Sequence, residues 1–280
     1  MIYYVCKYTP IELFRGFGEE CSVLEEMPEN FEQSDQIAHA NLCGFGKSVI
    51  QAVLEGKADQ LVLVNCCDSM RRVYDIVKNT GKCNFLYMLD LPHEDNECEK
   101  VKYAQAIMRL KKAYEKFSGK TFDKEAFLNS FTENETEMKP YIGLMGVRVT
   151  GILEKMIRDN IQMDVDNLTC TGGRQLAVVP EQMRQMDEEK MFLAYADALL
   201  CQIPCFRMNN NTRRNQLYLD PNLKGIIYHT IKFCDYYGFE YASIKKNIKV
   251  PLLKIETDFT SQSAGQLLTR IQAFAETIEG

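Results

Sequence analysis

"DQLVLVNCCDSMRRVYDIV", residues 59 to 77, decides the fold. Leu61 to Val64 form an uninterrupted apolar run, which reads as a strand buried on both faces rather than one with a wet side. Asn65, Cys66 and Cys67 end the run, and Met70, Val73 and Tyr74 then fall at helical spacing. A buried strand, a short loop and a helix are the unit from which parallel α/β sheets are built.

The same alternation extends in both directions. "IYYV" at 2–5, "FLYML" at 85–89, "YIGLMGVRV" at 141–149, "GIIYHTI" at 225–231 and "PLLKIE" at 251–256 read as further strands. Residues 97–117 place Val101, Ala104, Ile107, Met108, Leu110 and Ala113 on one helical face, and 188–200, 235–246 and 263–278 follow the same period. The fold class is therefore α/β with parallel sheets covered on both faces. One compositional break, the polar and acidic "SFTENETEMKP" at 130–140, divides the chain into an expected N-terminal α/β domain, 1–138, and a C-terminal α/β domain, 139–280.

The totals exclude several function classes. A net charge of −6 with short, scattered basic clusters gives no footprint for nucleic acid or an anionic membrane. No run reaches the roughly 18 apolar residues of a membrane span, and "MIYYVCKYTP" is too soon interrupted for a secretory leader, so a cytoplasmic location is expected. In that compartment eleven cysteines do not read as a disulfide framework.

Where the cysteines fall is more telling. Cys67 follows an apolar strand and precedes a helix, the place where open α/β sheets hold ligands and where a helix N-terminus favours a thiolate. Cys234 repeats this in "GIIYHTIKFCDYYGFEYASIKK", and both cysteines precede an aspartate. Cys43, in "HANLCGFGKSVIQAVLEG", stands in a glycine-containing turn before another helix. A free cysteine is otherwise commonly a small buried apolar residue, a reading that suits Cys6, Cys21, Cys83 and Cys98. No CxxC is present and His39, His93 and His229 lack ligand spacing, which disfavours a zinc finger or ribbon. Neither GxSxG nor GxxxxGK[ST] occurs, although Gly-Lys-Ser at 46–48 opens a helix.

Taken in order, "YTPIELFRGFG" (8–18), "NLCGFGKS" (41–48), "NCCDSMRRVYD" (65–75), "DLPH" (90–93), "LTCTGGR" (168–174), "IPCFRMNNNTRR" (203–214), "KFCDYYGFE" (232–240) and "VPLLKIETDFTSQSAGQLLTRIQAFAETI" (250–278) resemble the iron–sulfur subunits of 2-hydroxyacyl-CoA dehydratases and benzoyl-CoA reductases, the family of the 2-hydroxyglutaryl-CoA dehydratase D-component. The resemblance implies two Rossmann-like domains whose parallel sheets face each other across a cleft. It implies a [4Fe-4S] cluster held there by Cys43, Cys67 and Cys234, with one iron left open and Cys66 a neighbour rather than a ligand.

It further implies one-electron elimination of water from a 2-hydroxyacyl-CoA through a ketyl radical, with the electron supplied by an ATP-dependent activator iron–sulfur protein. A homologous partner subunit, or a second copy of the chain, completes the assembly. Lys47 and Arg174 are then candidates for the CoA phosphates. Glu12, Asp68, His93, Asp235, Glu256 and Asp258 are candidates by chemical type for the proton-abstracting base, and the sequence does not choose among them.

Two departures bear on that reading. Relatives that hold two bridged cubanes and reduce small molecules carry extra cysteines, and Cys170, Cys201 and Cys205 lie near the relevant segments; Met145 and Gly146 stand where those relatives place a cysteine after glycine, which favours one simple cluster. The chain also begins almost directly at "PIELFRGFG", before which family members carry a helical region. The alternative expectation is thus a non-catalytic iron–sulfur protein for electron transfer or maturation.

Overall fold

Why these segments pair as they do follows from which of them must be buried. The computed structural model describes residues 1–131, 139–261 and 264–279. Within them β1 (Ile2–Tyr4), β2 (Cys21–Val23), β3 (Gln60–Val64) and β4 (Phe85–Leu89) form one sheet in the order β2-β1-β3-β4. A second sheet holds β5 (Tyr141–Gly146), β6 (Asp164–Asn167), β7 (Leu223–Ile231) and β8 (Leu252–Thr257) in the order β6-β5-β7-β8. All six pairings are parallel. The chain is an α/β protein with two four-stranded parallel sheets of the same strand order, as two Rossmann-like domains require.

The helices are α1 (Ile11–Arg15), α2 (Glu32–Asp35), α3 (Gly44–Leu54), α4 (Asp68–Thr80), α5 (Glu97–Ser118) and α6 (Lys124–Leu128), followed by α7 (Gly151–Asn160), α8 (Pro180–Arg184), α9 (Glu188–Leu200), α10 (Thr212–Leu217), α11 (Asp235–Asn247) and α12 (Ala264–Glu279). Leu61 to Val64 of the central strand β3 are wholly buried. Of the four edge strands, β4 and β8 keep an apolar run, whereas β2 and β6 are only three and four residues long and escaped the pattern; "DVDN" is three-quarters polar. The strand expected over 141–149 stops at Gly146, whose φ of +91° turns the backbone, and a Cβ there would lie 2.2 Å from the His229 carbonyl oxygen.

The described residues of Met1–Leu24, Gly56–Glu135 and Arg174–Asn210 form one compact unit, and those of Glu25–Glu55, Thr136–Gly173 and Asn211–Gly280 the other. The boundary expected at 138/139 adjoins residues 132–138, which lie outside the described residues. In the first unit α5 packs on α9, burying Tyr103, Ile107 and Leu110. In the second, Ile142, Leu144, Ile227 and Ile255 of the sheet meet Ile157 of α7 and Ile271 of α12. Each fully buried side chain of this size contributes roughly 1.5–3 kcal/mol of hydrophobic stabilisation. Among the described residues no helix is long and apolar enough to cross a membrane.

Candidate functional site

Cys43, Cys67 and Cys234 each occupy the N-cap of a helix: α3, α4 and α11 respectively. A cap position leaves the first backbone N–H groups of the helix pointing at the capping side chain, and the helix dipole favours negative charge there. The Gly46 N–H donates to Cys43 Sγ at 3.4 Å, and the Met70 N–H donates to Cys67 Sγ at 3.5 Å. At Cys43 and Cys67 the capping acceptor is thus a sulfur where Ser or Asp ordinarily serves, whereas Cys234 holds the cap position without a side-chain cap hydrogen bond.

Topology assigns each to a strand end. Cys67 follows β3 and Cys234 follows β7, the third strand in each sheet order and the one beside the reversal of strand order, where open α/β sheets hold ligands. Cys43 reaches the second sheet by packing. A Cβ on Gly44 would lie 1.9 Å from the Asp258 carbonyl oxygen, Phe45 meets Phe259 edge-on at 5.4 Å, and the Ser48 hydroxyl donates to the Glu26 carbonyl. Asp258 directly follows β8, and Thr257 of β8 pairs with Ile231 of β7. The fold of the second unit thus brings Cys43 and Cys234 to the carboxyl ends of neighbouring strands, while Cys67 lies at the carboxyl end of the first unit's sheet. Phe233, just before Cys234, takes a φ of +65°, a strained value for an aromatic residue.

The thiols divide electrostatically. Cys67 is held down to about 7, first because the Cys66 S–H donates to it and then because the Met70 and Ser69 N–H groups do, against the cost of its burial. Cys66 moves the other way, since its proton is engaged by Cys67 and its surroundings are desolvated. Burial first of all pushes Cys21 up to about 12 and Cys83 up to about 11, the Asp59 carboxylate adding to it at Cys83. Cys170 Sγ accepts the Arg148 N–H at 3.3 Å, Cys201 donates to Asp197 at 3.2 Å, and Cys205 is buried with its N–H on the Tyr8 hydroxyl. Among the described residues no three His, Cys, Asp or Glu side chains are gathered as a metal site.

Several candidate residues are already engaged. Glu12 is buried, gripped by Arg174 and the Tyr195 hydroxyl, and Arg174 also donates to the Lys7 carbonyl at 2.9 Å. Lys47 pairs with Asp35 at 2.7 Å. Asp258 accepts from the Thr260 N–H at 3.0 Å and hydroxyl at 2.8 Å; Glu256 pairs with Lys254 at 3.0 Å; the His93 Nδ1–H donates to the Arg207 carbonyl at 3.2 Å. Asp68 and Asp235 lie in the first turns of α4 and α11, beside their cysteines. Sequence reasoning missed Arg207 and Arg148, both buried, the latter with its guanidinium 3.6 Å from the Phe45 ring centre. Burial of an isolated arginine leaves no periodic signature.

The fold is thus two parallel α/β units with cysteines at helix N-caps near the carboxyl ends of strands. The comparison with known families is specific: residues 6–139 and 132–278 match the model of the 2-hydroxyglutaryl-CoA dehydratase D-component, and the chain belongs to that family. It is similar to "Putative dehydratase subunit YjiM" of Escherichia coli (strain K12), 27% identical over 180 residues, 56% of this chain and 45% of that protein. It is also similar to the (R)-phenyllactyl-CoA dehydratase beta subunit of Clostridium sporogenes, 27% identical over 157 residues, 51% of this chain and 40% of that one. The matched stretches span less than half the length of either relative.

Proposed function

We propose that the chain is the iron–sulfur subunit of a 2-hydroxyacyl-CoA dehydratase or a related acyl-CoA reductase, and that Cys43, Cys67 and Cys234 hold a [4Fe-4S] cluster. The observation that carries this reading is the placement of all three as N-caps at the carboxyl ends of strands, in a chain of this family. The donor set fits the group: thiolates are the ordinary ligands of iron–sulfur clusters, and N–H donors on the sulfurs stabilise their charge. When bound, such a cluster supplies one-electron reduction and a Lewis-acidic iron. The overall reaction would then be redox-neutral loss of water, the 2-hydroxyl group as hydroxide and a β-proton, from a 2-hydroxyacyl-CoA, the electron that would reduce the thioester to a ketyl radical being returned as the enoyl-CoA product forms.

The chain's own residues prepare that chemistry. The Met70 and Gly46 N–H groups stabilise sulfur charge at Cys67 and Cys43. Cys66 donates to Cys67 and is not itself a ligand. The electron comes from an ATP-dependent activator iron–sulfur protein, and a homologous subunit or a second copy completes the assembly in the cytoplasm. Anaerobic reconstitution followed by iron and sulfide analysis tests the reading. About four irons per chain are expected from a [4Fe-4S] cluster. A chain that takes up none, or a Cys67→Ala variant with undiminished iron, overturns it. A loaded cluster whose spectrum ignores added 2-hydroxyacyl-CoA would replace the dehydratase reading with that of an electron carrier.

A further inference from the structure

Arg207 is only 7% exposed, yet among the described residues no carboxylate pairs with it. Its guanidinium is tied instead to the loop after β4: Nη1 donates to the Pro92 carbonyl at 2.5 Å and Nη2 to the Leu91 carbonyl. Among the described residues the buried Nε–H finds no acceptor. Guanidinium does not give up its proton inside a protein, so this is a standing positive charge that no carboxylate among the described residues pairs with.

The loop it grips is joined to the Cys66–Cys67 loop. The Leu91 N–H donates to Asn65 Oδ1 at 2.8 Å, and the Asn65 side-chain amide donates to Asp90 at 3.3 Å. Asn65 directly precedes Cys66. The cation therefore sits behind the strand end that carries Cys67, held by carbonyl oxygens that orient it without neutralising it.

We infer that Arg207 is a positioning residue for redox chemistry at Cys67: a fixed, uncompensated charge that raises the reduction potential of the cluster held there. The inference rests on the cluster reading above. Three thiolates give such a cluster net negative charge, each added electron increases it, and a buried cation lowers the cost of that electron because low-dielectric surroundings screen it poorly. A purely structural clamp between two loops would move stability and leave the potential alone.

The test uses full-length wild type, Arg207→Gln and Arg207→Lys, loaded anaerobically, with iron content measured first and the reduced fraction then followed by electron paramagnetic resonance at fixed applied potentials. Arg207→Gln should load iron like wild type while its reduced-to-oxidised ratio at a given potential falls at least tenfold, which is 59 mV for a one-electron couple. Arg207→Lys, which keeps the charge, should stay within about threefold of wild type, well inside that tenfold step. An unchanged ratio in loaded Arg207→Gln overturns the inference, as does a fall in Arg207→Lys as large as the tenfold expected of glutamine. Should Arg207→Gln fail to fold, Arg207→Met, which also removes the charge, is held to the same tenfold criterion. A wild type that binds no iron overturns the cluster reading, and the inference with it, before any variant is compared.

Discussion

Arg214 and Glu240 lie opposite each other inside the second unit, their side chains 2% and 3% exposed, with Arg214 Nε and Nη2 donating to the two carboxylate oxygens, the latter at 2.9 Å. The Tyr228 and Tyr218 hydroxyls donate to the same carboxylate. Removing one member strands the other, at a cost of about 3–5 kcal/mol, whereas replacing both with apolar residues costs less. Urea unfolding of Glu240→Gln should therefore show a larger loss than the double variant Arg214→Met/Glu240→Leu.

His229 predicts a pH dependence. Burial holds it down to about 4, although its Nδ1–H donates to the Arg148 carbonyl at 2.7 Å; Nε2 accepts the Thr257 hydroxyl at 2.9 Å, which fixes the neutral tautomer. Because the folded value is depressed, the unfolded chain binds one proton more between about 6.5 and 4, and stability falls with acidification across that window. The slope should approach about 1.4 kcal/mol per pH unit. His229→Gln should flatten it in a urea-unfolding series, and an unchanged slope would assign the effect elsewhere.

Gly44→Ala tests how Cys43 is delivered to the second sheet. The new methyl would meet the Asp258 backbone at 1.9 Å, a clash with main chain that no rotamer relieves. A stability loss of about 1–3 kcal/mol is expected. Iron retention should fall with it, since α3 must then move off the turn after β8; Gly265→Ala, with open space around its Cβ and no positive φ, should leave iron unchanged.

The adjacent thiols should separate in iron analysis. Cys66→Ala keeps its iron, because its sulfur serves Cys67 as a donor, while Cys67→Ala loses it. Equal loss in both would make the pair, rather than one member, the ligand.

The strands of the fold were legible wherever burial on both faces forces an apolar run. "FLYML" is β4 residue for residue, and the helices at 97–117 and 188–200 appear with their ends moved by one residue or none. Strands β2 and β6 were not legible, because three or four residues with polar side chains among them form no apolar run, whereas the edge strands β4 and β8 do. Cysteine position relative to strand and helix was legible too, and all three candidates prove to be caps. Long-range partners were not: nothing local in "IPCFRMNN" says that Arg207 will grip Leu91 and Pro92, and nothing in "DFT" says that it will receive Gly44.

The order in which the two units alternate along the chain carries a consequence for biosynthesis. The first unit still lacks Arg174–Asn210 after its entire sheet has been made, and the second holds an early segment, Glu25–Glu55, that waits for β7 and β8. Translation therefore cannot finish one unit and move on to the next. As the ribosome passes residue 173, helix α5 has no α9 to pack on and Cys43 has no strand end to reach, so apolar faces of both units stay uncovered until the last third of the chain emerges.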